Sequence, residues 1–126
     1  MTQKTSVPSR AKGTEAPRTS CTASRESGRF VIDVVGELDV AAVHEAGLSD
    51  VLNSYRSDEP LDVVLDLGGV TFLDSAGLGW LMTLRSAATL ADRKVRLRGS
   101  SPLVDKVLQM AGVRRYFPDE ASTPGA

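Results

Sequence analysis

Hydrophobic and polar positions along the chain fall into successive segments with the spacing of strands and of helices. Runs rich in valine, isoleucine and leucine at 30–35 and 61–67 are typical of buried strands. The segment from Ser75 to about Leu90 repeats apolar residues every three to four positions, which predicts a helix that packs on a sheet. Its predicted buried face comprises Gly77, Trp80, Leu81, Leu84, Ala87, Ala88 and Ala91.

The first part of the chain predicts a hairpin and a helix. The turn residues at 25–28 predict that a strand around Cys21 pairs with the strand at 30–35. Asp39 follows that strand and is placed to cap a helix that runs over about 40–55.

The second part predicts further alternation of strands and helices. Gly68-Gly69 predicts a turn before the short segment 70–73, which leads into the helix that begins at Ser75. Residues 94–98 alternate cleanly and predict an edge strand with a basic face. A short helix then follows and ends at Gly112.

A hairpin followed by alternating helices and strands implies right-handed crossovers between parallel strands. The predicted fold class is therefore α/β, with a mixed β-sheet and helices packed against it. The loops at the carboxyl ends of parallel strands meet at one edge of such a sheet. Ser75 is thus expected to share that edge with Asp39 and Ser100.

Composition and charge narrow the function classes. The chain has 126 residues, of which 41% are apolar and 25% charged, as is usual for one globular domain. Fifteen basic and 16 acidic residues give a net charge of -1, which argues against direct nucleic acid binding. No apolar run reaches the roughly 18 residues of a membrane span. Cys21 is the only cysteine, so a cytoplasmic protein without a disulfide is expected.

The two ends of the chain differ from its centre. Residues 1–18 are polar, contain two prolines and lack leucine, isoleucine and aromatic residues, which predicts a disordered N-terminal tail. Residues 119–126 predict a flexible C-terminal tail. The folded domain is expected to span 19–118.

The residue types needed for catalysis or metal binding are not grouped in the predicted fold. His44 is the only histidine and lies near the apolar stripe of its helix, which indicates a structural role. Ser75 has no histidine partner, so no enzyme activity, metal or cofactor is expected. Trp80 lies within the apolar stripe of the later helix and is expected to anchor the core.

The segment Asp74-Ser75-Ala76-Gly77-Leu78-Gly79 joins a predicted strand to a predicted helix, and two interpretations of it are open. In one, Ser75 or Asp74 simply caps the helix, a role worth ~1 kcal/mol. In the other, the free N–H groups and the positive dipole end of the helix stabilise an oxyanion or a phosphate attached to Ser75. Leu78 and Met82 lie on an adjoining flank, as a partner contact or as extra core.

From about residue 20 to 117 the sequence resembles the STAS domain family. The resemblance is strongest at Gly36-Glu37-Leu38-Asp39, in the segment Leu65 to Gly79 with its Asp74-Ser75-x-Gly77-Leu78-Gly79 motif, and from Ser101 to Gly112. It implies a STAS-like mixed β-sheet of four to five strands and the function of a bacterial anti-sigma factor antagonist. A STAS scaffold or a ligand-sensing module in a larger signalling assembly is the alternative.

The resemblance also implies a switch. The unphosphorylated protein would bind an anti-sigma factor that is also a serine kinase, and phosphorylation of Ser75 by that kinase would end the interaction. A serine phosphatase would restore it. Ala76 replaces a second serine that some members carry. The protein is expected to be a monomer or a weak dimer. The expected partner-binding residues are Asp39, Asp74, Ser75, Ala76, Gly77, Leu78 and Met82.

Overall fold

A computed structural model describes residues 4–8, 19–45, 47–57 and 60–120 of the chain. Within these ranges one mixed sheet holds five strands whose order follows the sequence. The first two pairings are antiparallel and the last two are parallel. This confirms the predicted α/β class and the sheet of four to five strands. The strands are β1 (Lys4–Pro8), β2 (Thr19–Glu26), β3 (Arg29–Leu38), β4 (Asp62–Leu73) and β5 (Val95–Ser100).

Helices follow each parallel strand and bury their apolar faces against one side of the sheet. They are α1 (Val40–Glu45), α2 (Leu48–Ser57), α3 (Ser75–Leu90) and α4 (Pro102–Met110), and a 3-10 turn follows at Arg114–Tyr116. All four helices contribute to one hydrophobic core with alternate residues of β2 to β5. None of the helices in the described ranges has the length and the apolar character required to cross a bilayer.

The predicted helix over 40–55 is interrupted, and that part of the prediction is wrong. Gly47 has a φ of +80°, a left-handed conformation that ends one helix before the next begins at Leu48. The Leu48 carbonyl, in the first turn of α2, accepts a hydrogen bond from the Trp80 indole N–H at 2.9 Å. Trp80 is 5% exposed, which confirms its predicted place in the core.

The predicted turn at Gly68-Gly69 is also wrong, because β4 continues through both glycines to Leu73. The pairing with β3 shifts register here, from Asp33 opposite Asp66 to Val35 opposite Gly69. A Cβ built at Gly69 would lie only 3.1 Å from a methyl carbon of Val35. Glycine therefore serves close approach inside a bulged strand rather than a chain reversal.

Parts of the two predicted tails are ordered in the structure. Lys4–Pro8 pairs with β2 as the outermost strand, so the prediction of disorder is wrong for these five residues. At the other end, Asp119 forms a bridge with Leu97, and Glu120 forms ion pairs with Arg29 and Arg98, so neither belongs to a loose tail. The remaining tail predictions concern residues outside the described ranges.

Candidate functional site

Ser75 is the first residue of α3 and its side chain is exposed. The preceding residue, Asp74, has extended backbone angles and caps the helix, because its Oδ1 accepts the Gly77 N–H at 3.0 Å. The capping role is thus filled by Asp74 and not by Ser75. The Ser75 hydroxyl stands beside the cap at a helix start, where the first N–H groups lack partners within the helix.

The Asp74 carboxylate also reaches a second helix. Its Oδ2 accepts the N–H of Val40, the first residue of α1, at 3.2 Å, and the Asp74 N–H donates to the Leu38 carbonyl at 3.3 Å. Asp39 caps α1 through a bond of 2.9 Å from the Ala42 N–H to its Oδ1. The predicted meeting of the Asp39 loop with the Ser75 loop is therefore present, and one backbone–backbone hydrogen bond and one bond to the Asp74 side chain hold it.

Ser100 does not join this group, contrary to the prediction. It pairs with Leu67 in the sheet, and β4 continues from there to Leu73 before it reaches the Ser75 loop. The Ser100 hydroxyl instead donates to Asp105 at 2.7 Å. The misassigned turn at Gly68-Gly69 is the cause of this error, because it made β4 too short.

Gly77 is buried and sets how closely α3 approaches the end of β3. A Cβ built at Gly77 would overlap the carbonyl oxygen of Leu38 and lie 2.9 Å from the Leu38 Cγ. Gly79, one half-turn further along, has nothing within 4 Å of such a Cβ. The first glycine is thus required by packing, whereas the second leaves the surface near Ser75 flat.

The predicted partner-binding residues divide by exposure. Ser75 is exposed; Asp39, Asp74, Ala76, Leu78 and Met82 are half-buried; Gly77 is buried. Leu78 and Met82 pack at the margin of the core and keep part of their surface open. The core interpretation of this flank therefore holds in part, and its role as a partner contact stays a prediction.

Two apolar residues near the site were missed in the sequence. Val40 is 55% exposed and adjoins Asp39, and Phe72 is 46% exposed two residues before Asp74. Burial does not alternate strictly at the end of β4, because Phe72 is exposed between the buried Val70 and Leu73. The predicted turn at Gly68-Gly69 hid this part of the strand. The signal in the sequence was a large aromatic residue two positions before a helix cap.

His44 and Cys21 have no part in this site. The His44 side chain is exposed on α1. Cys21 is fully buried in β2, and burial, with a smaller effect of the Asp33 charge, raises the pKa of its thiol to about 12. The thiol therefore stays protonated and sheltered in the folded protein.

Comparison with known proteins decides the family. The profile of the STAS domain matches residues 21–124. The chain belongs to the STAS domain family. Among curated relatives, a protein of Staphylococcus aureus (strain NCTC 8325 / PS 47) named "Anti-sigma-B factor antagonist" is 31% identical over 85 residues, which are 68% of this chain and 77% of the relative.

Solved structures share the fold of this STAS domain. An anti-sigma factor antagonist from Mycobacterium paratuberculosis superposes with a TM-score of 0.69 at 23% identity, covering 79% of this chain and 83% of that one. SpoIIAA in its unphosphorylated form superposes with a TM-score of 0.64 at 24% identity, covering 78% of this chain and 83% of that one. The Bacillus cell fate determinant SpoIIAA in its phosphorylated form superposes with a TM-score of 0.59 at 21% identity, covering 77% of this chain and 86% of that one.

Proposed function

We propose that this STAS domain is an anti-sigma factor antagonist whose binding is switched by phosphorylation of Ser75. In the unphosphorylated state it binds an anti-sigma factor with serine kinase activity and so releases a sigma factor for transcription. Phosphorylation of Ser75 ends binding, and a serine phosphatase restores it. The observation that carries the proposal is the exposed Ser75 hydroxyl beside the fixed carboxylate of Asp74.

The geometry favours Ser75 as a phosphate acceptor. Its side chain lies at the surface, where a kinase active site has access to the hydroxyl. The helix start offers N–H groups and a positive dipole end, which stabilise a phosphate in the free protein by ~0.3–1 kcal/mol. Ala76 supplies no second hydroxyl, so modification of this loop is confined to one residue.

The same geometry explains why a phosphate would end binding. Phosphorylation adds a charge of about -1.5 to -2 beside a carboxylate. Asp74 is held by two backbone N–H groups, so it cannot swing away without uncapping α3. A docked partner would have to desolvate both negative groups, at a cost of several kcal/mol. A loss of ~4 kcal/mol weakens binding about a thousandfold.

The proposed docking surface surrounds Ser75. Its polar part is formed by Asp39 and Asp74, and its apolar part by the open surfaces of Leu78 and Met82 on α3. Gly77 lets α3 lie close to the end of β3, Ala76 is half-buried beside Ser75, and Val40 and Phe72 extend the apolar part. In this role the protein is a cytoplasmic regulator that acts by binding rather than by catalysis.

Phosphate mapping tests the acceptor assignment. The purified protein is incubated with ATP and an anti-sigma factor kinase of its own organism, and the phosphate is located by mass spectrometry. Ser86 is an exposed serine of the same helix and supplies the matched control. We expect Ser86→Ala to be labelled like the unmodified protein and Ser75→Ala to remain unlabelled. Label retained by Ser75→Ala would refute the assignment.

A further inference from the structure

A concave surface lies at the far end of α3 from Ser75. It is a cavity of about 180 Å³ between the end of α3, the start of β5 and the 3-10 turn. Arg85 lies ten residues after Ser75 on this helix, about 15 Å away at 1.5 Å per residue. The polar residues that line the cavity are Arg85, Thr89, Arg93, Lys94, Arg96 and Tyr116.

Four cations surround this cavity in a chain whose net charge is -1. The ion pairs between described residues engage Arg29, Arg98 and Arg114, and none engages a cation of the cavity. No acidic side chain of the described ranges lines it. The cations of the cavity therefore form no ion pair within the described part of the protein.

The fold fixes where these cations stand. The Arg85 guanidinium stacks over the Tyr116 ring, with 4.2 Å from its carbon to the ring centroid. Asp92 adopts a φ of 60° and reverses the chain after α3, which brings Arg93 and Lys94 to the start of β5. The Lys94 N–H donates to Asp62 Oδ1 at 3.0 Å and anchors the backbone there.

We propose that this cavity binds a compact polyanion of the pyrophosphate class, either free or as the diphosphate of a larger molecule. Guanidinium groups hold phosphoryl oxygens through paired N–H donors, and an ammonium adds a point charge. Thr89 contributes a hydroxyl donor. The cations come from a helix, a turn and a strand and enclose one concave space, which suits a compact anion better than an extended acidic peptide. The proposal is independent of the switch at Ser75.

Titration calorimetry on the full chain tests this proposal, with sodium pyrophosphate as the probe at physiological salt. We expect one site per chain and weaker binding of orthophosphate, which carries less charge. Lys94→Gln should weaken pyrophosphate binding about tenfold, equal to ~1.4 kcal/mol. Lys106→Gln removes the same charge from an exposed position on α4, outside the cavity, and should leave the affinity within about twofold.

The remaining arms separate the possible ligands. ADP serves as a second probe: binding of both probes, or of pyrophosphate alone, supports a diphosphate site, and the difference shows whether an organic group is admitted. A glutamate-rich peptide that binds more tightly than pyrophosphate would overturn the proposal. So would the absence of pyrophosphate binding up to about 5 mM, a ΔG weaker than roughly -3 kcal/mol. Equal weakening by Lys94→Gln and Lys106→Gln would reduce the effect to net charge and would overturn it as well.

Discussion

The Asp74 carboxylate accepts the N–H of Val40, a residue 34 positions earlier in the chain, while its other oxygen caps α3. One side chain thus holds the starts of two helices together. The residue that follows it is Ser75, so the serine is presented from a loop that long-range hydrogen bonds fix in place.

Removal of the Asp74 side chain, which contacts both helix starts, should destabilise the protein more than removal of the Asp39 side chain. Asp74→Ala loses an N-cap and a second hydrogen bond, for an expected cost of ~2–3 kcal/mol in the free energy of unfolding. Asp39→Ala loses the cap of α1 and should cost ~1 kcal/mol. Urea unfolding measures both, and equal losses would show that the bond to Val40 contributes nothing.

The two glycines of the motif should respond oppositely to substitution by alanine. Gly77→Ala forces a methyl group into the Leu38 carbonyl and should destabilise the fold by about 3 kcal/mol or more. Gly79→Ala places a methyl group in open space within a helix and should stabilise it by ~0.5–1 kcal/mol. Thermal unfolding of both variants checks this contrast. A well-tolerated Gly77→Ala would mean that α3 does not pack as closely as described.

The ends of α3 and α4 provide a matched pair for a further prediction. Both end in a left-handed residue with the same two backbone hydrogen bonds, but α4 uses Gly112 and α3 uses Asp92. Asp92→Gly relieves this conformation and removes a negative charge from the negative end of the helix dipole, for a gain of ~0.5–1 kcal/mol.

Gly112→Ala is the converse change and should lower stability by ~1 kcal/mol, because alanine is strained at a φ of +74°. Chemical unfolding curves for both variants give the two differences. A loss of stability in Asp92→Gly would show that the Asp92 side chain has a stabilising role of its own.

The buried thiol of Cys21 should make the stability of the fold decrease as the pH rises. Burial raises the pKa of this thiol to about 12, from an ordinary value of 9.0. The unfolded chain therefore loses this proton first, so the contribution of Cys21 to stability is complete below pH 9 and falls as the pH rises toward 12. Stability against pH should consequently decline less steeply in Cys21→Ala than in the unmodified protein. Identical slopes would contradict the assigned burial.

The helix that carries the site could be predicted from sequence because every local signal agrees. The apolar repeat, the capping Asp74 and the small residues after it place α3 at Ser75–Leu90, as observed. Ser75 was expected at a helix start that follows a parallel strand, and it lies there. These features depend on residues close together in the chain.

The features that the sequence did not reveal depend on contacts between distant residues. Gly68-Gly69 has the composition of a turn, yet the side chain of Val35 opposite makes it a bulge. The bond from Val40 to Asp74 has no local signal. Likewise, the alternating cations of β5 were interpreted as edge protection, and only the fold shows that Lys94 and Arg96 share a cavity with Arg85.

The charge mechanism also predicts how substitutions mimic the switch. Ser75→Ala should bind the anti-sigma factor even in the presence of kinase and ATP, because no phosphate can be added. Ser75→Asp should bind more weakly than Ser75→Ala, since it places a carboxylate beside Asp74. Equilibrium binding of both variants checks this, and indistinguishable affinities would refute charge as the cause.

The most direct measurement is the affinity of the purified protein for its anti-sigma factor before and after stoichiometric phosphorylation of Ser75. The account predicts tight binding before, and binding weaker by about a thousandfold afterwards. Treatment of the phosphorylated protein with a serine phosphatase should restore the first value. An affinity that phosphorylation of Ser75 leaves unchanged would contradict the central claim.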